Sequence, residues 1–176
     1  MTNTMTDENT GTSYDLTGDT NFDFGDGNGS VPAHKHMNGG GWVAETASVD
    51  ASAFVGPEAR VYGEARVYSE ALICDKARVY SEALICDKAR VCGEARVYGE
   101  ARVCTTPILL TGYEFAITIC DNQMQVGCKT IMQSVELSAD LFPEEQCPRL
   151  RTAATLIIHI IKAHWDYCKD RGSACA

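Results

Sequence analysis

The sequence repeats a pattern of six residues without interruption over residues 41–106, and this period constrains the fold more than any other feature. Val or Ile occupies the third position of each hexad, and an alanine stands two places earlier in all hexads except the first. Six residues turn an α-helix by about 600°, so these aliphatic side chains would not stay on one helical face. The spacing fits a short β-strand with two inward side chains followed by a corner. Residues 65–76 recur unchanged as residues 77–88.

The hexads resemble those of the hexapeptide-repeat family, whose fold is a left-handed parallel β-helix with a triangular coil. The resemblance implies that three hexads form one coil, with Ala and Val filling the interior. Gly or Ser two places after the aliphatic residue suits a tight corner, as at Gly63, Ser69, Gly93 and Gly99. The predicted fold class is therefore mainly β: a left-handed parallel β-helix of about four triangular coils. A small α+β C-terminal module follows it.

Composition divides the chain into three parts. Residues 1–40 are rich in Thr, Asn, Asp and Gly and poor in aliphatic residues, so we expect a flexible acidic N-terminal arm. In the alternative, Phe22 and Phe24 dock on a neighbouring surface. Residues 41–110 form the β-helix, and residues 111–176 form a β-hairpin and a helix that serve oligomerisation or partner binding.

The C-terminal part carries two recognisable elements. Residues 113–131 are predicted to form two strands joined at Asp121–Asn122, a good turn pair. A helix is expected from about Pro148 to Tyr167, with a first apolar stripe of Leu150, Ala154, Ile157, Ile161 and Trp165 and a second of Leu156, Ile160 and Ala163. Because this helix is apolar on more than one side, we expect it to meet other subunits. The predicted interface residues are Leu156, Ile157, Ile160, Ile161 and Trp165.

The four histidines are not expected to form a site. His34 and His36 lie in a Gly-rich stretch without a third ligand, which is weak evidence for a metal. His159 and His164 belong to the predicted helix, where we expect packed or boundary residues. No metal ligand, no cofactor and no catalytic residue is predicted.

Stacking of coils about 4.8 Å apart would place residues eighteen positions apart above one another. One face then carries three columns: Arg60, Arg78 and Arg96; Tyr62, Tyr80 and Tyr98; and, at the next corner, Glu64, Glu82 and Glu100. In one interpretation these columns are structural, with stacked rings and neutralised arginines. In the other, the six Arg and Tyr residues bind a ligand or partner, because guanidinium groups grip phosphate and Tyr faces stack on bases. The glutamates oppose a phosphate ligand unless they turn away.

The nine cysteines are odd in number and lack a zinc-type CxxC pair, so thiols are expected rather than a disulfide framework. Cys74 and Cys92, and likewise Cys86 and Cys104, are eighteen residues apart. Their expected separation permits a disulfide. Oxidation of these pairs is therefore the alternative to thiols.

The formal net charge of −9 argues against nonspecific binding to nucleic acid or to an anionic membrane. The chain opens without the basic and apolar regions of a secretory signal, and its longest apolar run, TLIIHII, is too short to span a bilayer. We therefore expect a cytoplasmic location and no membrane partner.

The segment ITICDNQMQVGCK is similar to a small C-terminal module of hexapeptide-repeat proteins from phages and prophages. This resemblance implies a phage-linked protein in the cytoplasm of a bacterial host. The predicted function is that of a non-enzymatic binding protein, a homo-oligomeric (trimeric) β-helix scaffold that captures a host protein or a small nucleotide. An anti-CRISPR or other anti-defence inhibitor, acting by direct binding or by sequestering a nucleotide signal, is the specific role we expect.

Two other functions remain open. Many hexapeptide-repeat proteins are acyl-CoA-dependent acyltransferases that use a histidine base, but residues 41–106 contain no histidine and no loop insertion. The zinc-binding branch of that family needs three histidines, which the same residues lack. A purely structural trimerisation module is the remaining alternative. An uncapped β-helix has open strand edges and can grow end to end, whereas we expect the hairpin and the Trp42 segment to cap the ends.

Overall fold

The computed structural model describes residues 4–7, 12–15, 20–127, 129–143 and 145–170, with side chains from residue 20 onward. Four strands open the chain, each pairing antiparallel with the next. They are β1 (Thr4–Asp7), β2 (Thr12–Asp15), β3 (Thr20–Asp23) and β4 (Ser30–Lys35).

The hexads form eleven short strands, one in each repeat. They are β5 (Trp42–Ala44), β6 (Ser48–Val49), β7 (Phe54–Val55), β8 (Arg60–Val61), β9 (Arg66–Val67), β10 (Leu72–Ile73), β11 (Arg78–Val79), β12 (Leu84–Ile85), β13 (Arg90–Val91), β14 (Arg96–Val97) and β15 (Arg102–Val103). Every third strand pairs in parallel, which gives a first face (β5, β8, β11, β14), a second face (β6, β9, β12, β15) and a third face (β7, β10, β13). The prediction that the coil closes after three hexads is confirmed. The chain is a parallel β-solenoid of about three turns.

The interior of the solenoid contains the alanines and the β-branched aliphatic residues, as predicted. From Ala53 to Val103 these side chains are at most 2 % exposed. Burying a Val or Ile side chain contributes roughly 1.5–3 kcal/mol, so the repeated pair is the main source of solenoid stability. The predicted corners are also confirmed, because Gly63, Ser69, Gly93 and Gly99 have the positive φ angles of tight turns, 70°, 59°, 73° and 65°.

The N-terminal end of the solenoid is covered by the segment that precedes it. Strand β4 pairs antiparallel with β5, and Val55 donates its backbone N–H to Asn38 O. Within residues 20–40 the structure shows ordered strands, with Phe22 and Phe24 buried, so the docking interpretation describes this segment. Contact of these two rings with the solenoid offsets the entropy that the segment loses when it becomes ordered. The polar composition had suggested that this entropy would keep the segment flexible. Residues 1–3, 8–11 and 16–19 of the expected arm lie outside the described residues.

Four antiparallel strands follow the solenoid: β16 (Ile108–Leu110), β17 (Ile117–Ile119), β18 (Gln123–Val126) and β19 (Lys129–Met132). The predicted hairpin at Asp121–Asn122 is confirmed as β17–β18, and β16 and β19 extend it on both sides. A 3-10 helix (Ala139–Leu141) and helix α1 (Pro148–Asp170) complete the module. Among the described residues, no helix combines the length and apolar character needed to cross a membrane.

Helix α1 packs on this sheet through the first predicted stripe. Its residues are all buried in the chain, together with Ile117, Ile119 and Met124 of the sheet. Trp165 is 4 % exposed and donates its indole N–H to Cys120 O over 2.9 Å. The predicted helix and its first apolar stripe are therefore confirmed.

The hairpin turn seals the C-terminal end of the solenoid through side-chain hydrogen bonds. Asn122 accepts a hydrogen bond from Arg102 N at Oδ1 and donates its Nδ2 group to Glu100 O. Gln123 and Gln125 both donate their Nε2 groups to Tyr98 O. These amides satisfy backbone groups at the exposed strand edges, which would otherwise be a template for another chain.

Candidate functional site

The predicted columns of the first face are present. Arg78 is in register with both Arg60 and Arg96 on the paired strands. The ring of Tyr80 stacks on Tyr62, with centroids 4.9 Å apart, and on Tyr98, with centroids 5.1 Å apart. Eighteen-residue spacing thus aligns both sets of side chains along the solenoid axis.

The tyrosine column is longer than the repeat alone predicts. Phe24 stacks on the outer side of Tyr62 with ring centroids 4.8 Å apart, and Phe22 stacks on Trp42 at 4.4 Å. The faces of Tyr62 and Tyr80 therefore contact other rings. Bases cannot stack there, so the structural interpretation describes these two tyrosines.

Burial of this column changes the acidity of its phenols. Burial, followed by the neighbouring Tyr62, raises the pKa of Tyr80 to about 12. Burial also raises the pKa of Tyr62, although Arg78 opposes the shift. Both phenols stay protonated well above neutral pH.

The arginines line an open groove of about 840 Å³. In the part of the chain that the structure describes, none of Arg60, Arg78 and Arg96 forms an ion pair with a carboxylate. Burial and the adjacent Arg78 lower the pKa of Arg60. Arg60 is also held in place, because Nη1 donates to Phe24 O over 2.9 Å and the guanidinium lies over the Phe22 ring. Arg78 and Arg96 are the members best placed to meet a ligand.

The other charged and aromatic side chains of the lining are one cation, four aromatic rings and three acids. The cation is Lys76, the rings are Phe22, Trp42, Tyr98 and Phe115, and the acids are Glu58, Glu94 and Glu114. Desolvation raises the pKa of Glu114, but hydrogen bonds from the N–H groups of Arg149 and Leu150 outweigh it and lower that pKa. The Glu114 carboxylate therefore caps the N-terminus of α1 rather than facing the arginines alone.

Two of the three glutamates in the predicted column, Glu82 and Glu100, turn away from this groove. Glu82 and Glu100 line a second groove of about 560 Å³ between the second face and the C-terminal module. Arg66 and Arg102 line the same second groove. These two carboxylates therefore do not oppose the binding of an anion in the first groove.

The predicted interface residues of α1 separate into two groups. Ile157, Ile161 and Trp165 are buried against the chain's own sheet, so their side chains are not available to another subunit. Leu156 is 64 % exposed and Ile160 is half-buried. The periodicity located both stripes, but only packing against the sheet decides which of them is covered.

Both predicted cysteine pairs are disulfides. Cα atoms of Cys74 and Cys92 lie 4.6 Å apart, and those of Cys86 and Cys104 lie 4.8 Å apart. The expectation of thiols is wrong for these four residues, because stacking of successive coils brings them within bonding range. Cys128 and Cys175 lie outside the described residues.

Three of the histidines contact neighbouring groups of the same chain. His34 is exposed and contacts Glu45, with Nδ1 2.6 Å from Oε1. His36 is buried and bonds to the Asn38 backbone. His159 is exposed, with Nδ1 2.7 Å from Thr155 O.

A cluster of buried polar side chains, which the sequence did not predict, joins the hairpin turn to α1. Asp121, His164 and Cys168 are all buried, and their side chains meet beside the second groove. Thr105 at the end of the solenoid completes the cluster, because its hydroxyl donates to Asp121 Oδ1 over 2.6 Å. The only sequence signal was the i, i+4 spacing of His164 and Cys168 on a predicted helix, which says nothing about Asp121.

Comparison of the chain with protein-family models, with curated proteins and with solved structures found no match. A function must therefore be inferred from the two grooves and their lining residues. The first groove offers stacked cations and rings. The second adjoins the buried side chains of Asp121, His164 and Cys168.

Proposed function

We propose that this protein is a non-enzymatic binding protein that captures an anionic ligand in the first groove. The observation that supports it is the column of Arg60, Arg78 and Arg96, which forms no ion pair within 4 Å with a carboxylate among the described residues. Like charges directly opposite one another on paired strands repel. A phosphate or carboxylate ligand would relieve that repulsion and accept charge-assisted hydrogen bonds.

A small nucleotide is the ligand that suits the groove best. The groove has a volume of about 840 Å³, which lies in the range of small-molecule sites, roughly 300–1,000 Å³. Arg78, Arg96 and Lys76 supply positive charge, while Phe115 is 42 % exposed and offers a ring face for a base. Glu58 and Glu94 line the same groove and favour a ligand with few negative charges over a polyphosphate.

The finer assignment of the fold is part of this proposal. We assign the solenoid to left-handed β-helices of the hexapeptide-repeat type, with close to four coils. The hexad period, the Ala and Val interior and the left-handed backbone at the corners support it. A homotrimer follows from the same resemblance, with Leu156 and Ile160 as apolar residues that a second copy could cover.

The biological role follows from the resemblance of the hairpin to phage and prophage modules. The protein would act in the cytoplasm of a bacterial host, where it sequesters a nucleotide signal or blocks a defence protein directly. The Cys74–Cys92 and Cys86–Cys104 disulfides, which are rare in a reducing cytoplasm, tie successive coils together.

A thermal-shift experiment against mononucleotides and cyclic dinucleotides tests the proposal. Arg78→Glu is compared with Arg90→Glu, because both arginines hold the same hexad position and both changes alter the net charge equally. Arg90 is exposed on the third face and does not line the first groove. Ligand that binds the native state raises the unfolding temperature. We expect that rise for the wild type and Arg90→Glu, and its loss in Arg78→Glu.

Two results would contradict the proposal. One is an equal rise for both variants, which would place the ligand elsewhere. The other is a response to acyl-CoA and to none of the nucleotides, which would favour the acyltransferase alternative. A pull-down from bacterial lysate extends the test to protein targets, where capture must also depend on Arg78 and not on Arg90.

A further inference from the structure

Three side chains with different ligand atoms converge where the hairpin turn meets helix α1. His164 Nε2 lies 3.5 Å from Cys168 Sγ, Cys168 Sγ lies 3.6 Å from Asp121 Oδ1, and His164 Nε2 lies 3.9 Å from the same oxygen. We propose that Asp121, His164 and Cys168 form a binding site for a divalent transition metal, with Zn²⁺ as the preferred ion. This site is separate from the arginine-lined groove.

Two of the three distances between the ligand atoms match the edges of a zinc tetrahedron. Zinc bonds of about 2.3 Å to sulfur and about 2.0 Å to nitrogen or oxygen correspond to edges of about 3.5 Å from sulfur to the other ligands and about 3.3 Å between nitrogen and oxygen. The two distances from Cys168 Sγ agree with this geometry, whereas His164 Nε2 and Asp121 Oδ1 would approach each other by about 0.6 Å when an ion binds. His164 and Cys168 reach this geometry because residues four apart share one face of a helix.

The surroundings orient the carboxylate as a metal ligand requires. Asp121 Oδ2 accepts hydrogen bonds from Cys104 N at 2.7 Å and from Thr105 N at 3.1 Å, so Oδ1 is directed at the other two ligands. The Thr105 hydroxyl supports Oδ1 and lies 3.2 Å from Cys168 Sγ. Such outer contacts fix ligand orientation in metal sites and raise affinity.

Coordination also fixes the protonation state of two ligands, because a metal binds the neutral imidazole and the thiolate. Metal binding would release the proton of the Cys168 thiol and turn it into a thiolate ligand.

The second groove reaches the site from solvent. Asp121 and Cys168 both contribute to its lining, together with the cationic side chains Arg66, Arg102 and Lys169 and the carboxylates of Glu82 and Glu100. Three protein ligands with one position toward solvent are the pattern of zinc sites that hold water or an exogenous ligand. In this site that fourth position would face the second groove.

The competing explanation is a metal-free hydrogen-bonded cluster, in which the Cys168 thiol donates to Asp121. Cobalt distinguishes the two, because Co²⁺ occupies zinc sites and a thiolate ligand gives it a charge-transfer absorption band. The full chain is titrated with Co²⁺ without reductant, so that both disulfides remain closed and do not offer thiolates. Zn²⁺ is then added to displace the cobalt.

We expect the wild type to bind one Co²⁺ per chain with a thiolate charge-transfer band and the ligand-field bands of four-coordinate cobalt. Cys168→Ser should abolish the charge-transfer band, and His164→Gln should weaken binding at least tenfold. His159→Ala removes an exposed histidine from the same helix and should bind as the wild type does. Circular dichroism confirms that each variant is folded.

Absence of any thiolate band in the wild type at saturating Co²⁺ would overturn the proposal, and so would an unchanged band in folded Cys168→Ser. The first of these results needs no variant, so it stands even if a substitution prevents folding. A band that Zn²⁺ fails to displace would also overturn the preference for zinc.

Discussion

Cys74 and Cys92 are joined by a disulfide although eighteen residues separate them, and their Cα atoms lie only 4.6 Å apart. That distance is close to the spacing of paired strands. One coil of the solenoid therefore corresponds to eighteen residues. The columns of the first face and the arginine-lined groove both follow from this closure.

Removal of the Cys74–Cys92 bridge by Cys74→Ser and Cys92→Ser should lower the free energy of unfolding by about 3 kcal/mol. A loop of this length loses that much unfolded-state entropy when it is closed. Urea denaturation of oxidised protein gives the value. The double variant Cys86→Ser and Cys104→Ser has the same sequence separation and serves as a matched comparison with a similar expected loss. An unchanged denaturation midpoint in both double variants would mean that the coils are not bridged.

Gly63→Ala should destabilise the protein more than Gly99→Ala. Both glycines have left-handed φ, 70° and 65°, so each alanine pays about 1–2 kcal/mol of backbone strain. A Cβ at Gly63 would also lie 2.8 Å from Ser81 N, whereas a Cβ at Gly99 meets nothing within 4 Å. Urea midpoints of the two variants measure the difference. Equal midpoints would contradict the close approach of successive coils at this corner.

The raised pKa of Tyr80 predicts a loss of stability at alkaline pH. The folded pKa of about 12 exceeds the unfolded value of about 10, so the protonated phenol stabilises the fold below pH 10. That contribution is lost as the pH rises from about 10 to about 12. Denaturation midpoints over this window should fall less steeply in Tyr80→Phe than in the wild type. Parallel pH curves for the two proteins would contradict burial of the phenol.

Asn122→Ala should uncover a strand edge at the C-terminal end of the solenoid. The variant leaves Arg102 N and Glu100 O without their side-chain partner and should cost roughly 1–3 kcal/mol. Light scattering should also show association of the variant through the exposed edge. Asn28→Ala, which removes an exposed amide whose only hydrogen-bond partner in the described part of the chain is Asp26, is the control. Wild-type stability and size for Asn122→Ala would rule out capping by this residue.

The hexad period was sufficient to predict the solenoid, because each repeat determines its own strand and corner through local spacing. The interior at Val61 and Val79 and the backbone at Ser69 required no knowledge of distant contacts. The columns on the first face followed by simple addition of eighteen. The same logic placed the cysteine pairs within bonding distance but did not decide their redox state.

Features that depend on distant contacts escaped prediction. Phe22 is buried because it stacks on Trp42, and nothing in the polar composition around it indicates that partner. Asp121 meets His164 and Cys168 only because the sheet packs on α1 at one angle, which periodicity does not specify. The repeated surface was therefore predictable from the sequence, whereas the cluster that joins the hairpin turn to α1 was not.

Nuclear magnetic resonance of the arginine side-chain Nε–H groups, during a titration with adenosine monophosphate at low salt, tests the central claim most directly. It reports on each guanidinium separately, so Arg90 is an internal control in the same sample. We predict saturable shifts of the Arg78 and Arg96 signals, with little change at Arg90. Shifts of similar size at all arginines, or none at Arg78 and Arg96 when the nucleotide is in large excess, would contradict capture of an anion by the first groove.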